Sequence, residues 1–378
     1  MKIGILTFHN SDNYGSVLQA YALRNYITKT FPNDECEIVN YVAPNQNDLY
    51  ALYLKNNSIK NIIKNIRAFL FSKLLKKRIY EFDVFRKNYL GISKERIEES
   101  NTLRDYLQDF NIMICGSDQI WNPLSLDFSE EYFVPGFKGK KVAYAPSFGN
   151  GKEKDLNRID KANIGSFLRE FNAISVRENS GIKMIRSLGY SKDVELVLDP
   201  TLLLEKREWL KIIGERKEEK PYIFFYSINY NPETIDMVKR ISKKTRLKVK
   251  IMFSTNKTYS ALGKGFELIK ETSPINFLES VRSATLVLSN SFHGIAFSTI
   301  FRKQFFALEV RRNGEIYKDE RIHNLLEKFK IDSRIIKRED IERIDWNDLK
   351  PVNYDEKAIN NELKKSQDYL INSIKNEY

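Results

Sequence analysis

The residue best suited to chemistry is a histidine in a short polar run. The run Ser289–Gly294 directly follows the apolar residues Leu286–Leu288, and its His293 is one of three histidines in the chain. An imidazole can donate and accept protons near pH 7, and the glycine beside it allows a ligand to approach the backbone closely. We therefore predict that His293 is a catalytic proton donor, against the alternative of a structural histidine. The neighbours predicted to bind substrate are Asn290, Ser291 and Gly294.

A second polar cluster follows the apolar run Asn111–Cys115. Its sequence, GSDQIWNP over Gly116–Pro123, combines a carboxylate, amides and an indole. Such groups suit a sugar, because carboxylates and amides bond to hydroxyls and an aromatic face can cover the ring. We predict that Asp118 orients or deprotonates an acceptor hydroxyl. The alternative is a helix cap with a core tryptophan, Trp121. The substrate-binding residues predicted beside Asp118 are Ser117 and Gln119.

The predicted anion-binding residue is an arginine. Arg177 lies in the run Ser175–Glu178, at the end of another short apolar segment. Its planar guanidinium is suited to hold a carboxylate or a phosphate. The alternative is a structural ion pair, for example between Arg177 and Glu178.

Two further loops are predicted to contribute to the same site. The loop His9–Ser16 is polar and leads into a helix whose N–H groups can meet an anion; the alternative is a capped turn with Ser16 near the N-cap. The loop Ala145–Gly149 supplies backbone donors. Of the other histidines, His9 does not differ from an ordinary turn histidine, and His323 is predicted on a surface helix. The substrate-binding residues predicted in the two loops are Asn13, Gly15, Ser147 and Gly149.

These loops fall at the ends of predicted strands. Short apolar runs alternate with helical segments, which favours parallel sheets covered by helices on both faces. The predicted strands are Lys2–Phe8, Glu37–Val42, Phe110–Cys115, Lys141–Ala145, Ala173–Val176, Glu195–Leu198, Tyr222–Ser227, Lys248–Phe253, Phe266–Ile269, Leu286–Leu288 and Gln304–Leu308. The predicted helices include Ser16–Thr30, Pro232–Thr245, Ile275–Ala284 and Tyr354–Asn376.

The strands form two series, which predicts an α/β fold of two Rossmann-like doubly wound domains facing a cleft. The first domain is expected over residues 1–204 and the second over 205–353, with a C-terminal helix of residues 354–378 packing back on the first. The charged stretch Glu205–Lys220 resembles a linker or an exposed helix. Doubly wound sheets bind ligands at the carboxyl ends of their strands, so function is expected on the strand-to-helix loops.

Composition limits the classes of partner. The chain of 378 residues has a formal net charge of +12, which favours anionic partners such as phosphorylated metabolites or acidic lipids. The apolar run in its opening, MKIGILTFHN, is too short for a secretory or membrane segment. Its two cysteines, Cys36 and Cys115, lack metal-site or disulfide-framework spacing. We expect a cytoplasmic protein without metal, cofactor or nucleic-acid partner.

Residues 55–78 form a basic stretch. Between Leu49 and Tyr80 there are eight basic residues and no acidic one. The apolar residues in this stretch recur at helical spacing and predict a basic amphipathic helix. Such a helix can lie on an anionic membrane or grip a lipid-diphosphate carrier; alternatively, it packs its apolar face on its own domain. These apolar residues are Ile59, Ile62, Ile63, Ile66, Phe69, Leu70 and Leu74.

Six motifs, in this order along the chain, together resemble the polysaccharide pyruvyltransferase family. They are NYGSVLQAYAL at Asn13–Leu23, GSDQIWNP at Gly116–Pro123, YAPSFG at Tyr144–Gly149, SVRE at Ser175–Glu178, LDPTLL at Leu198–Leu203 and SFHG at Ser291–Gly294. The resemblance implies a fold similar to B-type glycosyltransferases, with phosphoenolpyruvate as the donor. It also implies that His293 is the general acid or donor-binding histidine and that Arg177 holds the donor's carboxylate or phosphate.

The chain departs from the family pattern at one position. Some members carry arginine two residues before the histidine, where this chain has Ser291. A second donor-binding cation then comes from elsewhere, or the affinity for the donor is lower. The candidates are Lys257, Arg302, Lys303, Arg311 and Arg312.

Together these features predict transfer of a pyruvyl ketal from phosphoenolpyruvate to a sugar of a cell-surface glycan, such as an exopolysaccharide, or of its lipid-linked precursor. An alternative is a nucleotide-sugar glycosyltransferase of the same fold, in which Ser291–Gly294 caps a nucleotide diphosphate and Glu309 binds ribose. A third is a non-catalytic protein recruited to membranes by the basic helix.

Overall fold

The protein folds into two compact α/β units. The structure, a computed structural model, describes residues 1–55, 58–149, 151–215, 219–227, 229–253, 258–312 and 315–375. Unit 1 comprises residues 1–51 and 84–204 and the chain from Asn360 onwards, and unit 2 comprises residues 52–83 and 205–359. The sequence pattern did not predict that residues 52–83 group with the second unit.

Helices alternate with strands along the chain. The α-helices of the described residues are α1 (Tyr14–Thr30), α2 (Gln46–Leu49), α3 (Ile59–Leu70), α4 (Ser72–Tyr89), α5 (Ser100–Leu107), α6 (Lys161–Arg169), α7 (Asn179–Ser187), α8 (Lys206–Ile213), α9 (Pro232–Thr245), α10 (Pro274–Ser283), α11 (Phe292–Ile300), α12 (Glu320–Lys328) and α13 (Glu356–Lys375). Short 3₁₀ helices occupy Glu130–Phe133, Glu153–Arg158, Pro200–Leu202, Thr258–Ser260, Asp332–Arg334 and Arg338–Glu342.

Unit 1 is built on a six-stranded parallel sheet. Its strands are β1 (Lys2–Leu6), β2 (Glu35–Ile38), β3 (Ile112–Cys115), β4 (Lys140–Ala143), β5 (Ala173–Val176) and β6 (Val194–Leu196). Their order is β2-β1-β3-β4-β5-β6, and the pairs Leu6 with Cys115 and Cys115 with Ala143 fix the register at one edge. The order of the strands reverses between β1 and β3, so a ligand-binding crevice is expected beside their carboxyl ends.

Unit 2 repeats this plan. Its strands are β7 (Tyr222–Tyr226), β8 (Lys248–Met252), β9 (Glu267–Ile269), β10 (Leu286–Ser289), β11 (Phe305–Leu308), β12 (Val310–Arg312), β13 (Glu315–Tyr317) and β14 (Ile335–Ile336). The parallel sheet has the order β14-β11-β10-β7-β8-β9, and β12 and β13 form a separate antiparallel pair. Here the strand order reverses between β7 and β10.

The predicted fold class is confirmed. Each strand predicted from the sequence overlaps one of β1 to β11, although β2 ends at Ile38 rather than Val42. Beyond Ile38 the chain leaves the sheet and bonds to the segment after α4, where the Val42 N–H donates to Ile97 O at 2.9 Å. The hairpin of β12 and β13 and the short β14 were not predicted.

Each unit has its own apolar core. In unit 1 the core includes the fully buried Trp121 and Phe133, and in unit 2 it includes Phe225 and Trp346. The stretch predicted as a linker or an exposed helix contains the helix α8, whose Trp209 is buried with its ring 4.9 Å from that of Phe297.

The part of the C-terminal helix α13 that belongs to unit 1 packs on the sheet of this unit. The Ser366 hydroxyl accepts the N–H of Leu198 at 2.9 Å, and the Tyr369 hydroxyl donates to the carbonyl of Ala143 at 2.9 Å. The last three residues of the predicted segment 354–378 lie outside the described residues.

The basic stretch differs from its prediction. Instead of one helix it forms α3 and α4, which are separated at Phe71. The Phe71 N–H still bonds to Arg67 O at 3.1 Å, while its ring packs against Phe253 and Tyr259 at centroid distances of 6.0 and 4.7 Å. We attribute the break to this docking of the Phe71 ring.

Candidate active site

In unit 1 a hydrogen bond crosses the point at which the strand order reverses. Ser16, in the first turn of α1, donates its hydroxyl to Asp118 Oδ2 at 2.5 Å, and the Gln119 N–H donates to Asp118 Oδ1 at 2.9 Å. Asp118 follows β3 and has a φ of 70°, a left-handed conformation that aspartate tolerates better than most residues. Both carboxylate oxygens of the predicted acceptor-orienting residue are therefore held in place.

The N-terminus of α1 is not capped by Ser16, as the alternative interpretation of this loop had it. Asn13 is the N-cap, and its side chain accepts the Gly15 N–H at 2.9 Å, so Ser16 is released from capping to bond Asp118. One turn later, the Gln19 side chain accepts the Ser117 N–H at 3.1 Å and so ties α1 to the loop after β3. Asn13, Gly15 and Ser117 thus support Asp118 through the backbone.

Arg177 is engaged by two carboxylates. One of its terminal nitrogens lies 2.5 Å from Asp199 Oδ2, and the other lies 3.7 Å from Asp118 Oδ1. The side chain of Arg177 is only 2% exposed, and that of Asp199 is fully buried. Thr201 donates its N–H and its hydroxyl to Asp199 Oδ1 at 3.0 and 2.7 Å. The ion pair that the sequence left as an alternative is present, with Asp199 as the partner.

Glu178, the ion-pair partner that the sequence suggested for Arg177, makes a different contact. Its carboxylate accepts the Phe148 N–H at 2.8 Å and so fixes the loop after β4. In that loop Ser147 accepts the Gly149 N–H at 2.9 Å. Gly149 has a φ of 64°, and a β-carbon there would lie 2.4 Å from the side-chain oxygen of Gln119. Glycine is therefore required for this close approach of the two loops.

Trp121 does not offer an aromatic face to a sugar. It is fully buried and stacks on Phe133 at a centroid distance of 4.8 Å, and its indole N–H donates to Tyr132 O at 3.2 Å. The indole therefore belongs to the core of unit 1, as in the alternative that the sequence left open.

A buried carboxylate near Asp118 was missed by the sequence reasoning. Asp127 is 4% exposed and accepts a short hydrogen bond from the Ser125 hydroxyl. Burial raises the pKa of the Asp127 carboxyl, and the negative charge of Asp118 raises it further. Asp127 lies outside regular structure, so no strand-end pattern marked it.

In unit 2 a hydrogen bond also crosses the reversal of strand order. Ser227, after β7, donates its hydroxyl to Asn290 Oδ1 at 2.9 Å. Ser289, the last residue of β10, donates to Tyr226 O at 2.7 Å and accepts the Ser291 N–H at 3.0 Å. These bonds hold the loop that carries the predicted proton donor.

His293 lies in the first turn of α11, which begins at Phe292. The residue is 8% exposed, and Ser291 at the N-cap makes no side-chain capping bond to the helix. Gly294 follows, and a β-carbon there would lie 2.3 Å from Ser289 Oγ. Glycine at this position therefore lets α11 start directly against the end of β10.

A histidine–carboxylate pair lies at the end of the neighbouring strand. Glu309, just after β11, is 8% exposed, and His323 on α12 places its Nε2 2.5 Å from Glu309 Oε1. The sequence predicted only that His323 lies on a surface helix, and Glu309 is 14 residues before it. The side chain of His323 is 30% exposed, so it is neither a plain surface histidine nor a buried one.

Most of the unit 2 cations that the sequence offered as donor-binding residues contact other groups of the protein. Arg302 forms two hydrogen bonds to Glu356 at 2.8 and 2.7 Å, Lys303 donates to Arg282 O at 2.8 Å, and Arg311 lies 3.8 Å from Glu339. Lys257 lies outside the described residues, as does the side chain of Arg312.

An arginine that the sequence analysis did not single out lies beside the histidine motif. The Arg321 guanidinium is 5.8 Å from the centroid of the Phe292 ring, and it makes two bonds to Asp319 at 2.9 and 2.6 Å. Its side chain is 6% exposed.

His9 has a structural role. It is 1% exposed, and its ring nitrogens lie 3.2 Å from Thr7 O and 3.1 Å from Asn40 Oδ1. Burial lowers its pKa, so the neutral ring is favoured. Within the described ranges, no group of three or more His, Cys, Asp or Glu side chains is arranged to hold a metal ion.

Comparison with known proteins adds a family and a fold. The family model described as polysaccharide pyruvyl transferase matches residues 13–312. No curated protein matches the chain.

Solved structures share the fold at low sequence identity. The UDP-GlcNAc 2-epimerase from Methanocaldococcus jannaschii is 10% identical with a TM-score of 0.54, and the similarity covers 99% of each chain. The S. aureus MnaA–UDP co-structure is 11% identical with a TM-score of 0.52, covering 100% of this chain and 99% of that one. At such identities, the likeness concerns the fold alone.

Proposed function

We propose, from the fact that this chain belongs to the polysaccharide pyruvyl transferase family, that it transfers a pyruvyl group from phosphoenolpyruvate to a sugar. The acceptor is a sugar of a cell-surface glycan or of its lipid-linked precursor. The observation that carries the proposal is the family match over residues 13–312, which spans both polar clusters at the reversals of strand order.

His293 is proposed as the proton donor to the methylene carbon of phosphoenolpyruvate. Its position supports this role, because the first turn of a helix after a parallel strand is a frequent location for ligand contacts. The N–H groups of the same turn are not capped by Ser291, and they are suited to the charged donor.

Asp118 is proposed to orient the acceptor hydroxyl and take its proton. Its carboxylate is fixed by Ser16 and the Gln119 N–H, which supports a role that depends on orientation. Arg177 is proposed to hold an anionic group of the donor. Because a guanidinium has five N–H donors, it can keep its 2.5 Å bond to Asp199 while the longer contact with Asp118 is exchanged for the donor.

The proposed reaction balances without a metal or a redox cofactor. Protonation of the methylene carbon by His293 creates an oxocarbenium-like centre at the adjacent carbon. The first acceptor hydroxyl bonds to that carbon and loses its proton to Asp118. A second hydroxyl then attacks, and the carbon–oxygen bond to phosphate breaks. The proton of this hydroxyl returns to the histidine, and Asp118 passes the proton of the first hydroxyl to the departing phosphate. The products are the cyclic ketal and inorganic phosphate.

The test is phosphate release from phosphoenolpyruvate across a panel of glycan and lipid-linked acceptors, followed by mass analysis of the acceptor. We expect phosphate release together with the mass gain of one pyruvyl ketal. A His293→Gln variant should lower the rate of both signals by about 10²–10⁴-fold, whereas His323→Gln, the matched loss of another histidine in unit 2, should retain them. Absence of phosphate release with every acceptor would contradict the proposal.

A second candidate is favoured by the fold neighbours, since two of them bind or act on uridine nucleotides according to their titles. In that case the chain is a nucleotide-sugar glycosyltransferase, with the pair of Glu309 and His323 beside the nucleotide. Thermal stabilisation separates the two. A ligand at 100 times its Kd adds about 2.7 kcal/mol to the free energy of unfolding. Stabilisation by phosphoenolpyruvate supports pyruvyl transfer, and stabilisation by UDP alone supports the second candidate.

A further inference from the structure

The outer face of α3 is apolar and exposed. Six side chains on this helix of 12 residues have exposed fractions between 43% and 78%. The six are Ile59, Ile62, Ile63, Ile66, Phe69 and Leu70. At roughly 100° per residue, they occupy one continuous arc of about 120° on the helix. The sequence left open whether this face packs on its own domain, and the structure places it in solvent.

The opposite side of α3 is anchored to unit 2. Ala68, which lies opposite the apolar arc, is 2% exposed. Asn65 exchanges hydrogen bonds of 2.8 Å with both backbone groups of Leu54, and the Tyr259 hydroxyl donates to Arg67 O at 3.3 Å. The inner side therefore fixes the orientation of α3, so that the apolar face points outward while the helix is held in place.

Positive charge borders the apolar face. Arg67 lies on one flank of the arc, and the exposed Lys73 and Lys76 follow in the first turns of α4. The sequence between Leu49 and Tyr80 contains no acidic residue, so the charge of this segment has one sign. An apolar stripe flanked by cations is complementary to a surface that combines acyl chains with phosphates.

The length of α3 suits a helix that lies in the plane of a membrane surface. Twelve residues span about 18 Å, whereas a bilayer core is about 30 Å thick. None of the helices in the described part of the chain is long and apolar enough to cross a membrane.

We propose that α3 binds an anionic lipid bilayer as an interfacial helix. The apolar face enters the boundary between headgroups and acyl chains, and Arg67 meets a lipid phosphate. A bilayer is favoured over a second copy of the chain, because a twofold contact through α3 would bring two sets of like charges together.

The experiment measures co-sedimentation of the full chain with two kinds of vesicle. One contains phosphatidylcholine alone, and the other mixes phosphatidylcholine with phosphatidylglycerol. We expect binding to the mixed vesicles that weakens as salt is added. The double variant Ile63→Glu and Phe69→Glu should lose at least tenfold in partitioning, and Arg67→Gln should lose about fivefold on anionic vesicles only.

The matched control is Tyr80→Glu, which places the same charge on α4 at a side chain 68% exposed, close to the 70% of Phe69. It should bind vesicles like the unchanged chain. Circular dichroism and Tm confirm that each variant is folded, and activity on a water-soluble acceptor should be unchanged in all of them. Equal vesicle binding by the double variant and the control overturns the proposal. The proposal is also overturned if the unchanged chain binds no vesicles and forms a dimer that the double variant disrupts.

Discussion

The strand order reverses once in the parallel sheet of each unit, but the side chains at the two reversals differ. In each, a side-chain hydrogen bond joins the loops at which the strand order reverses: Ser16 to Asp118 in unit 1, and Ser227 to Asn290 in unit 2. Around the first bond lie charged groups, because Arg177 and the fully buried Asp199 belong to the same network. The second bond joins a hydroxyl and an amide, and the ion pair near this motif, between Arg321 and Asp319, lies beside the Phe292 ring.

This difference predicts which substitutions affect folding and which affect chemistry. A buried ion pair that loses one partner leaves an uncompensated charge, so changes in the unit 1 network should destabilise the fold. The hydroxyls and amide of unit 2 carry no net charge, so a change at His293 should leave folding intact while it removes a reacting group. Four measurements can break or sharpen this distinction.

The largest effect is expected on catalysis, in unit 2. Replacement of His293 by Ala should lower kcat by about 10²–10⁴-fold, the usual contribution of a positioned proton donor. The variant should stay folded, with a Tm lowered less than in Arg177→Met, because only the imidazole is removed and α11 keeps its other buried side chains. Steady-state phosphate release and thermal unfolding measure the two quantities. Near-normal turnover in a folded His293→Ala protein would remove His293 from the mechanism.

The next effect is on stability, in unit 1. Arg177→Met should lower the free energy of unfolding by about 3–5 kcal/mol, since it leaves Asp199 charged and buried without its cation. Urea denaturation measures this loss. The control is Arg96→Met, which removes an ion pair to Glu98 whose side chains are 49% and 50% exposed, and should cost about 0–1 kcal/mol. Equal losses for the two variants would show that the buried pair of Arg177 and Asp199 stabilises the fold no more than an exposed ion pair does.

The parts of this comparison that the sequence predicted are those set by local pattern. Short apolar runs predicted the strands. The polar residues after these runs predicted the strand ends, where His293, Asp118 and Arg177 lie. A parallel strand buried on both faces is apolar throughout and ends where polar residues begin, so its end can be located from a few residues.

Partner choice could not be predicted in the same way. Asp199 is the partner of Arg177 because it follows β6, which pairs with β5, and this neighbourhood exists only in the folded sheet. The aspartate was present in the motif Leu198–Leu203, but nothing in its local sequence assigned it a cation. The burial of Trp121 and the break at Phe71 have the same origin, since both depend on rings contributed by distant segments.

A smaller effect should test how tightly the unit 2 loop is packed. Gly294→Ala would place a β-carbon 2.3 Å from Ser289 Oγ and 3.0 Å from Ser289 Cβ. Because Ser289 holds Tyr226 O and the Ser291 N–H, the strain should pass to the loop and cost about 1–3 kcal/mol. Urea denaturation of Gly294→Ala, Ser289→Ala and the double variant forms a cycle. We expect the double variant to be less destabilised than the sum of the two, and simple additivity would rule out this contact as the cause.

The smallest effect is expected at Asp127, the buried carboxylate near Asp118 in unit 1. Because burial raises the pKa of Asp127, its protonated form is favoured in the folded state. The stability it contributes is therefore present at pH values below its ordinary pKa of 3.8 and is lost as the pH rises through the raised value. Asp127→Asn, which cannot ionise, should have a higher Tm than the unchanged chain at neutral pH, and the difference should vanish on acidification. The exposed Asp109→Asn serves as the control and should show no such trend. If Asp127→Asn lowers Tm at neutral pH, the ionised carboxylate stabilises unit 1, and the charged network then extends beyond Asp118, Arg177 and Asp199.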